Sequence, residues 1–209
     1  FPWLSHKSIK LCGEDTRVLK VSYAGEKGFE IHVHNGSMKK IYDELVQHGE
    51  NFNLIHFGML ALDSMRLEKN YRSWKSDLTS DYTMLQSGLE KWIKFDKGNF
   101  IGKEALKNEF DLGTSKKFVT LVVDDPEDNK PFGEPVYLSP VFAGDDYLGP
   151  IVSSGYGHRV KKSISMAILD DRNLNGLNDQ LYIDVLGRKR KAYIVNEALY
   201  DPENLKLRS

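Results

Sequence analysis

The stretch Val21-Ser-Tyr-Ala-Gly-Glu-Lys-Gly-Phe-Glu-Ile-His-Val33 decides how the first part of this chain folds. The residues before Gly25 are rich in strand formers, those after Gly28 alternate apolar and polar, and the two glycines bracket a turn. This pattern predicts an antiparallel hairpin. If its register is symmetric about the turn, Tyr23 lies opposite Glu30 on one sheet face, with Cβ atoms about 5 Å apart.

The predicted hairpin has two chemically different faces. Phe29, Ile31 and Val33 share the face that requires a core. The other face places an aromatic ring beside the Glu30 carboxylate. A planar heterocycle with an amidine-like N–H edge suits that pair, because the ring stacks and the carboxylate accepts two parallel hydrogen bonds. Periodicity alone leaves an alternative open, which is an amphipathic hairpin with a merely solvated Glu30.

The rest of the chain changes character near residues 113–117. Before this point, apolar stripes predict helices, together with one short strand, and after it short strands with turn chemistry predict a small closed barrel or sandwich. The predicted fold class is therefore α+β, with domains at 1–113 and 117–209. The helices are predicted at 37–48, 57–71 and 103–110, and the early strand at 91–95. The later strands are predicted at 118–123, 135–138, 147–153, 163–169, 180–185 and 192–195.

Composition excludes several classes of protein. The 209 residues are 40% apolar and 28% charged with a net charge of −1, so nucleic acid is not a predicted partner. No apolar run approaches the roughly 20 residues of a membrane span. The first residues carry no charged region typical of a signal peptide, and the missing initiator Met indicates a fragment or processed piece. Cys12 is the only cysteine, which excludes an internal disulfide and fits a reducing compartment.

Five blocks of sequence together resemble one known family, in family order and over nearly the whole chain. The family is the folate-binding aminomethyltransferases, the superfamily of the glycine-cleavage T-protein. The blocks are Tyr23-Ala-Gly-Glu-Lys-Gly-Phe-Glu30, Met65-Arg-Leu-Glu-Lys-Asn-Tyr-Arg-Ser-Trp74, Asn99-Phe-Ile-Gly-Lys-Glu-Ala-Leu106, Gly155-Tyr-Gly-His-Arg-Val160 and Leu199-Tyr-Asp-Pro-Glu-Asn204. The second and fifth blocks look more like the folate-binding C-terminal half of dimethylglycine dehydrogenase, sarcosine dehydrogenase and related demethylases.

The resemblance implies a fold, a cofactor and site residues. It implies part of the aminomethyltransferase folate-binding module followed by a small C-terminal β-barrel. It implies that tetrahydrofolate is bound by Tyr23, Glu30, Ile31, His32 and Tyr71, with no metal. The catalytic residue stays unknown, because the family's aspartate lies in an N-terminal half outside these residues. In the dehydrogenase branch FAD also belongs to a part of the enzyme that is not present here.

The implied reaction captures a one-carbon unit from a small N-methylated amine as 5,10-methylenetetrahydrofolate, beside the missing N-terminal half of the same protein. Two alternatives remain open, an aminomethyltransferase of glycine cleavage and a non-catalytic folate-binding regulatory domain. The expected compartment is the cytoplasm, or the mitochondrial matrix in a eukaryote. Leu62 stands where the T-protein has arginine, which argues against a true T-protein. Lys91 stands near a folate-contacting tyrosine of the dehydrogenases, which leaves part of the ring contact in doubt.

Other polar residues have simpler interpretations. Charged residues in the second block, Arg66, Glu68 and Lys69, are typical of a solvated helix face. Arg159 either pairs with a carboxylate, such as the glutamate tail of a folate, or is an exposed charge at a strand end. Two histidines, His32 and His34, lie two apart on one predicted strand face without a third ligand nearby in sequence, so no metal site is predicted.

Overall fold

A three-stranded antiparallel sheet and two helices form the first part of the molecule. The structure is a computed structural model that describes residues 1–124, 133–171, 174 and 181–209. The sheet has the order β1-β2-β3. Its elements are β1 (His6–Leu11), β2 (Glu14–Leu19), β3 (Glu30–His32), α1 (Asn35–Gly49) and α2 (Met59–Glu68), and a third helix, α3 (Lys103–Leu112), follows.

The three predicted helices are confirmed with shifted ends. The side chain of His34 accepts a hydrogen bond from the Gly36 amide at 3.2 Å and caps α1, so the helix begins two residues before the predicted start. The predicted cap, Ser37, instead donates to Glu14 at 2.8 Å. The second helix, α2, ends at Glu68, before Tyr71, because the chain turns there through a left-handed residue.

The predicted hairpin register is wrong. Strands β2 and β3 do pair antiparallel, but Leu19 pairs with Glu30, and residues 20–29 form a long loop. Tyr23 therefore lies in this loop and not on a strand opposite Glu30. The physical reason is long-range packing: Gly25, at φ +77°, presses its backbone against the side chain of Lys69, which leaves no room for a tight turn.

The apolar face of the predicted hairpin is not buried. Phe29 and Ile31 are 48% and 37% exposed, because β3 is an edge strand of only three residues, although the Phe29 ring contacts the Phe1 ring at a centroid distance of 5.5 Å.

The strand predicted at residues 91–95 is also wrong. Residues Glu90–Trp92 form a 3-10 turn. Its backbone bonds are local: the amides of Trp92 and Ile93 donate to the carbonyls of Leu89 and Glu90. An alternating pattern forms a strand only when its backbone pairs with another strand, and the bonds of this segment are local instead.

A closed six-stranded barrel follows, which confirms the predicted fold class. The barrel order is β4-β7-β6-β5-β8-β9, and a short helix, α4 (Leu205–Arg208), follows it. Its interior includes fully buried residues that alternate along the strands: Leu121, Val141, Ile151, Ala167, Leu169 and Ile183. The strands are β4 (Lys116–Val123), β5 (Pro140–Ala143), β6 (Asp146–Gly157), β7 (Lys162–Asp170), β8 (Leu181–Val185) and β9 (Arg188–Val195).

One predicted barrel strand lies in the wrong place. Residues 135–138 are not a strand, and β5 begins at Pro140. Leu138 has φ +69°, and the Ser139 amide donates to the Val136 carbonyl, so this segment turns before the strand starts. Residue 180, the predicted start of another strand, lies outside the described residues.

Helix α2 packs against the outside of the barrel and makes a second core. Leu67 on α2 is buried with Phe118, Val152, Ile164 and Met166 of the barrel strands. The hydroxyl of Ser64 donates to the Tyr156 carbonyl on β6 at 2.7 Å. This packing brings the C-terminal end of α2 close to the barrel surface. None of the helices in the described ranges is both long enough and apolar enough to cross a membrane.

Candidate functional site

Two tyrosines that are far apart in sequence stack on each other. The ring centroids of Tyr23 and Tyr71 are 6.0 Å apart and their planes differ by 15°. The Tyr23 hydroxyl donates to the Arg72 carbonyl at 2.9 Å. Burial raises the pKa of both phenols above the ordinary value of 10.0, so both hydroxyls remain protonated donors at neutral pH. We call this pair the tyrosine shelf.

The end of α2 places Tyr71 on the shelf. Asn70 adopts a left-handed conformation with φ +58°, and the Tyr71 amide donates back to the Arg66 carbonyl at 2.9 Å. The hydroxyl of Thr120, on barrel strand β4, donates to the Asn70 side chain at 2.6 Å. The barrel therefore fixes the turn that carries Tyr71.

A buried ionic cluster lies beneath the same turn. Arg66 is 2% exposed and donates to Asp77 at 2.7 Å, to Ser153 at 2.8 Å and to the Tyr71 carbonyl at 3.1 Å. Asp77 also accepts from the Ser73 amide at 2.7 Å and from the Ser153 hydroxyl. We call Arg66, Asp77 and Ser153 the Arg66 cluster. It joins α2, the 71–77 segment and barrel strand β6.

The prediction of a solvated face for Arg66, Glu68 and Lys69 is wrong, since all three are buried. The barrel and the C-terminal segment cover this end of α2. Lys69 donates to the Asp201 carbonyl at 2.6 Å and to Asn204 at 2.8 Å. Each charge is thus paired or hydrogen-bonded, as burial of an ion requires.

Arg159 is not a free charge, since its side chain contacts other residues of the chain. Glu68 accepts hydrogen bonds from the Arg159 and Val160 amides at 2.7 and 3.3 Å. The Arg159 guanidinium lies 2.9 Å from Glu26 and 4.4 Å from the centroid of the Tyr200 ring. The expectation of an exposed strand-end charge is corrected by these contacts, which engage the side chain within the chain itself.

The other predicted folate contacts lie on the edge strand β3. Glu30 and His32 point to the same face, where His32 Nε2 is 3.3 Å from a Glu30 carboxylate oxygen. Both side chains are 57% exposed. Ile31, on the opposite face, is half-exposed. The structure therefore joins the predicted residues in two groups, Tyr23 with Tyr71 and Glu30 with His32.

A shallow cleft of about 610 Å³ lies on the β1-β2-β3 sheet, away from the tyrosine shelf. Of the predicted folate contacts only His32 lines it, beside Arg17, His34 and Lys10. Its lining residues are mostly exposed and polar, whereas a fused aromatic ring system requires an apolar or aromatic wall. The cleft is a weaker candidate than the shelf for this reason.

The tyrosine shelf and the Glu30 carboxylate, which lie in separate groups, offer two kinds of contact for a ligand. The shelf offers two nearly parallel aromatic rings, and Glu30 offers an exposed carboxylate 3.3 Å from His32 Nε2. An aromatic surface and a carboxylate acceptor suit a planar heterocycle with adjacent N–H donors. No group of three His, Cys, Asp or Glu side chains suited to a metal ion occurs in the described part of the chain.

Sequence reasoning missed the residues that hold the site together. It did not identify Asp77 or Ser153 as partners of Arg66, nor Tyr200 as a partner of Glu26. The available signal was the dense charge of the second block beside an apolar helix stripe. That signal indicates buried pairing at most and identifies no partner.

Two family models match the chain. The GCVT N-terminal domain matches residues 1–97, and the glycine cleavage T-protein C-terminal barrel domain matches residues 116–201. A crystal structure of the glycine cleavage system aminomethyltransferase T from Bartonella henselae has a TM-score of 0.81 at 19% identity. That alignment covers 97% of this chain and 54% of the other, and it supports the fold.

Curated relatives include both branches of the superfamily. Human mitochondrial dimethylglycine dehydrogenase is 29% identical over 95% of this chain and 22% of the relative. The aminomethyltransferase of Thermoanaerobacter sp. (strain X514) is 30% identical over 92% of this chain and 50% of the relative. Mouse mitochondrial sarcosine dehydrogenase is 26% identical over 100% of this chain and 23% of the relative. The chain thus spans half or less of the length of these relatives.

Proposed function

Because this chain belongs to the glycine cleavage T-protein superfamily, we propose that it is the tetrahydrofolate-binding part of an enzyme that demethylates a small N-methylated amine. In this proposal residues 1–113 are the C-terminal part of the folate-binding module and residues 117–209 are the barrel domain. When bound, tetrahydrofolate would supply the acceptor for the one-carbon unit, which would be captured as 5,10-methylenetetrahydrofolate. Oxidation of the amine, with FAD, belongs to another part of the enzyme.

The tyrosine shelf is the observation that carries the folate assignment. Tyr23 and Tyr71 come from two separate family blocks and meet with nearly parallel rings. The Tyr23 hydroxyl and the Arg66 cluster both engage the backbone of residues 71–73, so the shelf rests on a rigid support. A preorganised aromatic surface of this kind lowers the entropy cost of binding a planar ring.

The chain's own residues bind and orient the acceptor in this mechanism. The shelf would stack against the folate ring, and Glu30, with Ile31 and His32 next to it in β3, would accept hydrogen bonds from the N–H edge. Charged hydrogen bonds to Glu30 contribute roughly 1.5–3 kcal/mol each. Fixing the acceptor beside a reactive one-carbon unit raises its effective concentration and limits loss of that unit to water.

The demethylase branch is supported by contact between the two blocks that resemble it. The Tyr200 amide donates to the Glu68 carbonyl at 3.0 Å, and Lys69 donates to the Asp201 carbonyl at 2.6 Å. The 65–74 and 199–204 blocks therefore form one unit next to the shelf. The two blocks that resemble the dehydrogenases therefore lie at one place in the molecule and support the same branch together.

An exposed apolar surface supports a missing partner half. Phe52, Ile55, Met59 and Leu60 are each at least 75% exposed, and they lie close together in the chain between α1 and the first turn of α2. Large apolar side chains that remain this exposed are typical of a surface that a partner covers. We propose that the N-terminal half of the same enzyme covers this apolar surface. That half would also contribute the catalytic aspartate and complete the wall of the folate site.

Two other functions compete with this proposal. An aminomethyltransferase of glycine cleavage would use the same folate site but take its one-carbon unit from a carried aminomethyl group. A regulatory domain would bind folate without turnover. Leu62, in place of the T-protein arginine, favours the demethylase over the first alternative.

Product analysis of the intact enzyme, expressed from its complete gene, tests the proposal. With dimethylglycine or sarcosine and no folate, the enzyme should release formaldehyde, and with tetrahydrofolate it should form methylenetetrahydrofolate. Tyr23→Ala should divert most product to free formaldehyde, because it removes the shelf and lies outside the oxidation step. The matched control is Tyr137→Ala, at an exposed tyrosine of the barrel segment.

Three results would count against the proposal. If Tyr23→Ala reduces amine oxidation as much as folate capture, the shelf does not act after oxidation. If the enzyme oxidises no N-methylated amine and instead transfers an aminomethyl group from a lipoyl carrier, the aminomethyltransferase function replaces the demethylase function. Folate binding without any turnover would favour the regulatory domain.

A further inference from the structure

The loop that carries Tyr23 has few backbone hydrogen bonds of its own. Residues 20–29 join β2 to β3 and form no strand or helix. A free loop of this length would sample many conformations, and its ordering would cost binding energy. What holds Tyr23 parallel to Tyr71 must therefore come from elsewhere in the chain.

The Tyr23 hydroxyl bond to the Arg72 carbonyl holds the ring itself, and the C-terminal segment, residues 199–209, supplies contacts to the rest of the loop. The Tyr200 hydroxyl donates to Glu26 at 2.5 Å, and Lys206 donates to the Tyr200 hydroxyl at 2.9 Å. At the start of the loop, Lys20 is buried and donates to the Ser209 carbonyl at 2.9 Å. The segment is itself anchored by Leu207, which is 1% exposed.

The barrel and α2 complete the same set of contacts. Arg159 pairs with Glu26 at 2.9 Å and stacks over the Tyr200 ring. Lys69 fastens the C-terminal segment through Asp201, while the backbone of Gly25 rests against the Lys69 side chain. Glu26 is thus held from two sides, three residues after Tyr23.

We propose that Tyr200, acting through Glu26, is a positioning residue for the folate site. Its hydroxyl fixes the 20–29 loop so that the tyrosine shelf is assembled before folate arrives. This inference rests on the proposed folate function but adds a role for the C-terminal segment. Tyr200 touches no substrate atom in this account and acts only through the loop.

The test compares Tyr200→Phe with Tyr193→Phe in the intact enzyme. Tyr200→Phe removes only the hydroxyl and keeps the ring under Arg159. Tyr193→Phe is the matched control, because it removes a hydroxyl that accepts from Lys162 at 3.1 Å on the barrel. Amide hydrogen exchange of residues 22–28 is measured without folate, and affinity for tetrahydrofolate is measured separately.

Tyr200→Phe should speed amide exchange in residues 22–28 by about tenfold or more and leave exchange in the barrel strands unchanged. It should also weaken tetrahydrofolate binding by about tenfold and change KM more than kcat. Glu26→Gln keeps an acceptor oxygen for the Tyr200 hydroxyl but removes the charge that pairs with Arg159, so exchange in residues 22–28 should also be faster than in the unaltered enzyme. Tyr193→Phe should change neither quantity.

Unchanged loop exchange in Tyr200→Phe overturns the proposal whatever the folate result. Faster exchange with unchanged folate affinity overturns the positioning role. If the unaltered enzyme does not bind tetrahydrofolate, the proposed function fails, and exchange alone then decides whether the C-terminal segment holds the loop.

Discussion

Replacing Arg66 by methionine should sharply destabilise the molecule, because it removes one partner of a buried ion pair. Arg66 and Asp77 are 2% and 0% exposed, and their closest atoms are 2.7 Å apart. The Arg66→Met variant keeps a side chain of similar length but leaves the Asp77 carboxylate buried without its cation. Ser73 and Ser153 still donate to it, yet neither neutralises its charge.

The size of the effect follows from this burial. Removing one partner of a buried pair costs about 3–5 kcal/mol of unfolding free energy. At roughly 2–4 °C per kcal/mol for a domain of this size, the melting temperature should fall by about 6–20 °C. The double variant Arg66→Met/Asp77→Leu should recover at least about 1 kcal/mol, because the orphaned charge is then gone.

Urea unfolding of both single variants and the double variant measures these differences. The control is Lys39→Met, at an exposed pair in which Lys39 and Asp43 are 2.5 Å apart, and it should cost no more than about 0.5 kcal/mol. If Arg66→Met costs as little as this control, the Arg66 cluster does not support the turn that carries Tyr71. The same conclusion follows if the two substitutions are simply additive.

Two further predictions concern the loop and the shelf. Gly25→Ala should lower the free energy of unfolding by about 2–4 kcal/mol, because φ is positive there and an added Cβ would lie 2.1 Å from Lys69 Cγ. The control Gly144→Ala, at φ +60° in open space, should lower it by only about 1 kcal/mol in the same urea unfolding experiment. Equal losses in the two variants would refute the contact between Gly25 and Lys69. Burial raises the pKa of the Tyr23 and Tyr71 phenols above 10.0, so the native state holds these protons more tightly than the unfolded chain does. The two phenols therefore contribute fully to stability below pH 10, and this contribution falls as the pH rises through the raised pKa values. An alkaline absorbance titration should show late-ionising phenols, one fewer in Tyr23→Phe, and an unaltered late phase would contradict the assignment.

The barrel could be predicted from sequence because its signals are local. Alternation in strands such as β4 and β7 and the turn residues between strands depend only on neighbouring positions. The same signals failed at residues 135–138, where three residues of strand composition precede a left-handed Leu138 and the strand begins two residues later. A local sequence pattern thus predicts the existence of a strand more accurately than the residue at which the strand begins.

The candidate site could be predicted only in part because its geometry depends on distant contacts. The family blocks identified Tyr23 and Tyr71, but the register of β2 and β3 is set by packing of residues 20–29 against Lys69 and Tyr200, over 40 residues away in sequence. A sequence pattern that takes no account of the barrel predicts that the charged residues of the 65–74 block are solvated. Their burial could not be predicted without knowing that α2 packs on β6 and β7.

Titration of the intact enzyme with tetrahydrofolate tests the central claim most directly, when the unaltered protein is compared with Glu30→Gln. The matched control is Glu44→Gln, since Glu44 pairs with His48 at 3.6 Å on an exposed helix face, much as Glu30 pairs with His32. Glu30→Gln should weaken binding by at least about tenfold, equivalent to 1.4 kcal/mol, and Glu44→Gln should not change it. Equal affinity in the unaltered enzyme and Glu30→Gln would contradict the assignment of the folate site to this edge of the sheet.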